Sequence, residues 1–490
     1  MGHRVHVELA LSADSMLHAY DVYAPDLVVC PILKRPVPEA IWEATATPVW
    51  IVHPGVAGDR GPHSIDWCVT RKDARWGVTV LEASAEMDAG HVWATEDFDV
   101  PPDATKSYIY RCLAVPAAAR CLARALRALE SGARPTPQHP GMPGTLRPSM
   151  DSRRDRSVDW AAPAIDVCRV VRASDSAPGA RCVLGAPHAP DAEYFAYGAI
   201  VESAPPAGLL AAVRPGDLLA QRDGAVLVAA GDGTALWLSH LRRPKAPGDT
   251  ARHIKLKATA VLPPAVAASL PTLPAPPLRV EPFGARPATW QEAWYGVSPG
   301  GAAVVRWEVQ GGAFGPSQCA GIREAITAAV ADPDTQVLVL AGSPQAFSNG
   351  IDLNGVMASA DPPSAAWDAI TSINDLVRDI FSVSRVPVVS ALAGGAGAGG
   401  VMTALAADAV WAHGDVVLNP HYRTMGLTGS EYWTYFLPRK CGVAMASALT
   451  DAAQVRGSCR GWLELDGVGM RGSAAGLAGS LMRAVASLRL

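Results

Sequence analysis

Eight prolines fall between Pro263 and Pro287, in a background rich in alanine and leucine. Proline donates no backbone hydrogen bond and blocks helix interiors, so this stretch fits neither a central strand nor a long helix. Its composition predicts an extended linker, residues 263–288. A chain of 490 residues cut at that point has room for more than one hydrophobic core.

Strand and helix signals alternate on the N-terminal side. Val5–Leu11 and Leu27–Cys30 read as strands, Pro38–Ala46 as a short helix, and Pro48–His53, Gly77–Glu82 and His91–Asp99 as strands. That alternation predicts an open α/β sheet over residues 1–150. A long helical run, Thr105–Ser131, is closed by Gly132. From about Val158 the texture changes. A helix at Ala164–Ala173 precedes short β segments at Arg181–Leu184, Ala196–Glu202, Asp217–Leu219, Ala225–Ala229 and Ala235–Leu241. The turns Arg222-Asp-Gly224 and Gly231-Asp-Gly233 are hairpin chemistry. Residues 151–262 are therefore expected to form a small β-barrel. Beyond the prolines, α/β alternation resumes over residues 289–490. Strands are expected at Ala302–Val309, Gln336–Ala341 and Val386–Leu392, and helices at Gln318–Ala331 and Ser364–Ser384.

Composition narrows the function classes. With 49% apolar residues, 18% charged and a net charge of −4, the chain has no electrostatic footprint for nucleic acid. Its nine cysteines form no CxxC pair, which argues for a reducing compartment and against zinc or a disulfide framework. The opening residues lack the apolar core of a signal peptide. Val386–Ala407 carries no charge, but its glycines and alanines make it a weak membrane span and a better buried strand–loop–helix unit. These features predict a cytoplasmic protein with no membrane partner.

Two segments carry chemistry. In the first, Ile51-Val-His-Pro-Gly-Val-Ala-Gly-Asp-Arg-Gly-Pro62 sets a histidine at a strand end ahead of a Gly-rich loop and a helix. In open α/β sheets that end is where ligands sit. Downstream, Glu86-Met-Asp-Ala-Gly-His91 puts an acid in a turn between strands. An imidazole and a carboxylate on neighbouring loops suit acyl transfer: the acid orients the ring, and the ring moves a proton or stabilises an oxyanion. Order and spacing, with Trp76-Gly-Val-Thr-Val-Leu81 between them, resemble the formyl-tetrahydrofolate transferase family. The resemblance implies His53 and Asp88 as the catalytic pair, with Arg60 and Gly61 beside the bound folate. This sequence has Ile51 where that family has an asparagine, which implies a different acceptor. Ser157-Val-Asp-Trp160, Ala177-Pro-Gly-Ala180 and the following β segments resemble the family's small C-terminal barrel. Formyltransferases also begin with a strand, helix and turn ahead of the Gly-His-x-Val found here at Gly2.

The second segment pairs Phe347-Ser-Asn-Gly-Ile-Asp-Leu353 with Ala391-Leu-Ala-Gly-Gly-Ala-Gly-Ala-Gly-Gly400, each following an expected strand. Backbone N–H groups from two such turns can converge on one thioester oxygen. Together they resemble the crotonase, or enoyl-CoA hydratase, superfamily. The resemblance implies Asn349 and Gly399 as oxyanion amides and Gly350 and Gly400 as residues lining the coenzyme A thioester site. Hydratases carry a glutamate where this chain has Met402, and their second glutamate falls near His421 or Tyr422, so hydration of a double bond is not expected.

Joined in this order, the halves resemble the HypX (HoxX) proteins of nickel–iron hydrogenase assembly. The shared runs are Val52-His-Pro-Gly, Ser348-Asn-Gly, Gly397-Ala-Gly-Gly-Val-Met402 and Val417-Leu-Asn-Pro-His-Tyr422 through Gly429-Ser-Glu-Tyr-Trp-Thr-Tyr435. The resemblance implies formyl-tetrahydrofolate and coenzyme A as substrates and carbon monoxide as product, by way of formyl-CoA. It also implies a hydrogenase large subunit or another maturation protein as partner. Tyr422, His421, Glu431 and Tyr432, in that order, are candidates for removing the formyl proton. Two rivals stand beside this expectation: a plain formyltransferase, recognisable by turnover without coenzyme A, and a non-catalytic assembly scaffold, recognisable by folate binding without turnover. The Gly- and Ala-rich Asp451–Leu490 lacks the pattern of the last crotonase helices.

Overall fold

The structure, a computed structural model, describes residues 2–451 and 456–457 apart from positions 34, 45–46, 139–144, 187–188, 207, 247, 414–415 and 424–425. The reading of Asp451–Leu490 thus lies almost wholly outside the described residues. The chain forms two compact units, one of Met1–Val158 with Arg169–Arg181, the other of Asp159–Cys168 with Cys182–Leu490.

The first unit is built on a four-stranded mixed sheet. Val28–Pro31 runs parallel to Val49–His53, which pairs antiparallel with Arg75–Glu82, which pairs antiparallel with Val92–Asp99. Trp50 and Val52 face the long helix Val115–Glu130, whose Ala117, Cys121 and Ala125 are fully buried. Small residues spaced four apart let this helix lie close to the sheet. The alternate positions Val49 and Ile51 join Cys30, Ile41, Met16 and Leu17 in a second cluster. The strand is therefore buried on both faces, and His53 at its end is held firmly.

Val5–Leu11 departs from expectation. It belongs to no strand, and Val5, Val7, Leu9 and Leu11 are between 67% and 84% exposed. Alternation alone makes no strand: with no neighbouring backbone to pair with, the pattern has neither a ladder nor a face to bury. The first regular element is instead the helix Ala13–Tyr23, begun by a reciprocal Ser12–Ser15 capping box.

In the second unit, six strands match the segment expected to be a barrel. Their order is Ala180–Ala186, Ala189–Val201, Ala235–Arg242, Ala225–Ala229 and Leu218–Arg222, with Leu256–Lys257 also on Ala235–Arg242. A bridge from Gly185 to Asp217, at the start of the last strand, closes the sheet on itself. Asp223 and Gly224 both have positive φ, as a two-residue hairpin requires.

The proline-rich segment is packed rather than free. It opens with the short helix Pro264–Ser269. It then runs beside the edge strand, where Gln221 donates to the Pro271 carbonyl at 2.9 Å and Leu273 donates back to Gln221 at 2.9 Å. Proline is tolerated on such an edge, where its missing N–H goes unnoticed. Arg222 fastens the far end, donating to Thr289 Oγ1 and the Trp290 carbonyl.

The sheet that follows orders Ala293–Val297, Ala302–Trp307, Val337–Ala341, Val388–Leu392 and Ala409–Ala412, parallel except for its first strand. The helices Pro316–Ala331, Pro362–Phe381 and Gly399–Leu405 form the crossovers. The uncharged Val386–Ala407 stretch is thus a buried strand–loop–helix unit. Among the described residues no helix is long and apolar enough to cross a membrane.

Trp307 anchors this core. It is 2% exposed, donates its indole N–H to the Phe347 carbonyl at 2.8 Å, and meets the Phe347 and Phe314 rings edge-on at 5.0 and 6.1 Å. Trp307→Ala should cost about 3–5 kcal/mol. Denaturant titration followed by near-ultraviolet circular dichroism would show this, and a midpoint unchanged from wild type would refute it.

Candidate active sites

His53 closes its strand opposite Thr79 and is 5% exposed. Its Nδ1 lies 3.5 Å from Asp88 Oδ2, so the structure brings the expected histidine and aspartate together. Asp88 sits in a turn at φ 53°, held there by Gln138, which donates to the Asp88 and Gly90 carbonyls. The Gly61 N–H donates to Asp88 Oδ2 at 3.0 Å, and Arg60 reaches the same turn through Glu86 at 2.5 Å. The loop therefore presents Gly61 to Asp88 and Arg60 to Glu86.

The sequence reading missed what lies on the other side of the ring. His53 Nε2 is 3.0 Å from Asp59 Oδ2, which also accepts from Ser64 Oγ at 2.6 Å, while Arg147 Nε donates to Asp59 Oδ1. Burial pushes the Asp59 carboxyl up, but the hydrogen bonds from His53, Ser64 and Arg147 outweigh it and hold the group below its ordinary range. A Cβ on Gly55 would land on His53 Nε2 and Asp59 Oδ2, so the loop can pass only as glycine. Asp59 lies within the Ile51–Pro62 segment, but nothing in the sequence assigns it a role. Arg147 lies too far along the chain for spacing to connect it. Ile51 faces the apolar cluster of Cys30 and Ile41, so the amide that formyltransferases place there has no counterpart at that position.

In the second unit the two Gly-rich loops meet. A Cβ on Gly350 would stand 3.2 Å from the Gly399 nitrogen. One expectation fails here. The Asn349 amide donates to the Gly312 carbonyl at 2.7 Å, and its side-chain amide donates to the Gly311 carbonyl at 2.7 Å. Asn349 is consumed in holding its loop against the preceding one and cannot serve as an oxyanion donor. Phe314 and Asp352 complete the same pairing, donating to the Gly350 carbonyl and the Phe314 carbonyl respectively. The Ile351 amide between them has no acceptor among the described residues, and neither has that of Gly399. These two N–H groups are the pair available to a ligand oxygen. Gly400 is not at the surface of this site; a Cβ there would strike the Ser348 carbonyl, which makes it a packing glycine.

The acid–base candidates separate clearly. A Cβ on Gly399 would fall on the carboxylate of Glu431, which places that acid against the Gly399 backbone. Glu431 is 3% exposed, and its Oε2 accepts from Tyr422 Oη and the Ser430 N–H, each at 3.3 Å. Asn374 Oδ1 accepts from the Glu431 N–H at 2.7 Å and pins its backbone at φ 53°. Burial raises the Glu431 carboxyl above its ordinary range, against the lowering from Ser430 and Tyr422. Burial and the neighbouring carboxyl raise the Tyr422 phenol as well. His421 instead engages Asn419 Oδ1 at 2.7 Å, and Tyr432 is 37% exposed, edge-on to Phe381. Of the four candidates, Glu431 and Tyr422 form one cluster, and His421 and Tyr432 have other partners. Met402, where hydratases have an acid, is buried in the core.

The chain joins formyltransferase-like parts to a crotonase-like one. Residues 7–126 match the family described as formyl transferase, residues 152–254 the formyl transferase C-terminal domain, and residues 312–457 enoyl-CoA hydratase/isomerase. The hydrogenase maturation factor HoxX of Bradyrhizobium diazoefficiens is 37% identical over 454 residues, covering 92% of this chain and 74% of that one. The crystal structure of HypX from Aquifex aeolicus in complex with tetrahydrofolic acid matches with a TM-score of 0.82 at 35% identity, covering 93% of this chain and 76% of that one. A methionyl-tRNA formyltransferase of Variovorax paradoxus is 32% identical over 185 residues, 38% of this chain and 54% of that one. The chain belongs to the HypX (HoxX) family of hydrogenase maturation factors.

The raised Glu431 carboxyl has a consequence for stability. Its folded state favours the neutral acid, so its contribution is complete below the ordinary value near 4.5 and is lost as pH climbs through the raised one. Glu431→Gln stays neutral throughout. Its stability relative to wild type should therefore rise above a pH of about 4.5 and then level off. Denaturant midpoints across a pH series would show this, and a difference constant with pH would refute it.

Proposed function

We propose that this protein makes carbon monoxide from formyl-tetrahydrofolate in two steps, with formyl-CoA between them. The modules assigned to these steps are residues 1–150 with the barrel 151–262 for formyl transfer, and 289–490, beyond the packed segment 263–288, for decarbonylation. In the first step His53 takes the proton of the coenzyme A thiol. The sulfur attacks the formyl carbon, the carbon–nitrogen bond to the folate breaks, and the folate nitrogen takes the proton back. Asp88 steadies the ring during this exchange, with Arg60 and Gly61 on the folate side. The tetrahydrofolic acid held by the Aquifex relative supports the donor class. Ile51 supports a thiol acceptor in place of an amine.

In the second step the Ile351 and Gly399 amides grip the formyl oxygen of formyl-CoA. Glu431, assisted by Tyr422, removes the formyl proton as the carbon–sulfur bond breaks. Carbon monoxide leaves, and the thiolate recovers the proton. The observation that carries this reading is the seat of the Glu431 carboxyl against Gly399, beside an amide with no acceptor among the described residues. Burial raises the Glu431 carboxyl, which makes it a stronger base than an ordinary carboxylate. The product is delivered in the cytoplasm to a hydrogenase large subunit or another maturation protein.

The test is carbon monoxide release, read by the spectral shift of ferrous myoglobin, from purified protein given formyl-tetrahydrofolate and coenzyme A. His53→Ala should lower the rate by about 10²-fold or more and be rescued by supplied formyl-CoA, whereas Glu431→Gln should lose release from formyl-CoA itself. No gas from either substrate, with folded protein, would overturn the proposal.

A further inference from the structure

Resting on that reading of the first site, we propose that Asp59 is a positioning residue that holds His53 as the Nε2–H tautomer, leaving Nδ1 as the nitrogen that exchanges protons with substrate. The argument is one of hydrogen-bond valence. Asp59 is 3% exposed and its Oδ1 accepts from the buried Arg147 guanidinium. An arginine cannot give up its proton, and a carboxylate facing it is an acceptor only. Oδ2 has two neighbours, Ser64 Oγ at 2.6 Å and His53 Nε2 at 3.0 Å. Ser64 has a single hydrogen and gives it to this oxygen at 2.6 Å in preference to the Pro54 carbonyl at 3.0 Å, because a charged acceptor makes the stronger and shorter bond. His53 Nε2 must also carry hydrogen, since otherwise two lone pairs would face each other at 3.0 Å in a site shielded from water.

A neutral imidazole has one N–H, so Nδ1 then carries the lone pair. It faces Asp88 Oδ2 at 3.5 Å, and that oxygen is already held by the Gly61 N–H at 3.0 Å. The ring therefore stands between two carboxylates with different tasks. Asp59 is locked to Arg147 and Ser64 and fixes the hydrogen on Nε2. Asp88 lies on the side where a proton arrives. The thiol proton taken during formyl transfer lands on Nδ1, giving an imidazolium with a carboxylate at each nitrogen. It returns to the folate nitrogen as the carbon–sulfur bond forms and the carbon–nitrogen bond breaks. Asp59 keeps its charge throughout and touches no substrate. Gly55 is required because any side chain there would push between His53 Nε2 and Asp59.

The test uses the full chain labelled with ¹⁵N at histidine, with the His53 signals identified by their loss in His53→Gln. Wild type at a pH where the ring is neutral should show a protonated Nε2 and a bare Nδ1. In Asp59→Asn the amide oxygen can stay on Arg147 while its NH₂ donates to Nε2, which moves the ring hydrogen to Nδ1. The variant should show the inverted pattern and a fall in formyl-transfer kcat of about 10²-fold or more, the scale of lost general-base catalysis. Its KM for formyl-tetrahydrofolate should stay unchanged, as for an interaction spent on the transition state. A wild-type ring protonated at Nδ1, or an Asp59→Asn protein with wild-type spectrum and rate, would overturn the assignment. If Asp59→Asn does not fold, the wild-type spectrum still decides. A protein with no formyl transfer but a bare Nδ1 sinks the two-step reaction and leaves the tautomer assignment standing.

Discussion

Both candidate sites depend on backbone passing where no side chain fits. At Gly55 the turn after the His53 strand crosses the contact between His53 and Asp59, and a single methyl group would part them. At Gly399 the Cα lies against the Glu431 carboxylate. Such crossings bring each acid close against the backbone, and tightly packed interiors leave it little room to shift. Elsewhere the folds are stabilised by ordinary burial. Here the absence of a side chain does the positioning, and loops leaving strand ends are where an open sheet leaves room for it.

The two buried carboxyls, Asp59 and Glu431, are each only 3% exposed, yet they are displaced in opposite directions. Burial alone raises both. Asp59 has an arginine, a serine hydroxyl and an imidazole aimed at it, and this set of donors holds the ionised form. Among the described residues Glu431 has a phenol and one N–H, both at 3.3 Å, and no cation. An unpaired buried charge costs several kcal/mol, so the neutral acid is favoured. The chain thus favours the charged form of one carboxyl and the neutral form of the other. Two neutral donors do not replace one guanidinium.

The second unit also shows why a proline-rich stretch need not be a loose tether. Its prolines forbid ladder donation, but the residues between them, such as Leu273, still donate to an edge strand. Arg222 then ties the end of the segment to the barrel through Thr289 and Trp290. The segment runs extended, as its composition dictates, with its backbone groups satisfied locally.

Much of this was legible in order along the chain. Alternating strands and helices, the Asp223-Gly224 hairpin, the strand before His53 and the two Gly-rich loops are local patterns, and local sterics and burial periodicity decide them. The pairing of His53 with Asp88 was legible too, because each stands in a turn of recognisable chemistry. Val5–Leu11 was misread because a strand exists only with a neighbour, which periodicity does not supply. Asn349 was misassigned for a related reason: whether an amide is free depends on which carbonyl folds opposite it, here that of Gly312. Arg147 reached Asp59, and Glu431 reached Gly399, only through tertiary closure. The sequence by itself determined which elements form and which residue types reach the loops. The tertiary structure decided which donors remain unspent and which carboxyl meets a cation, because hydrogen bonds and charges are settled by neighbours in space.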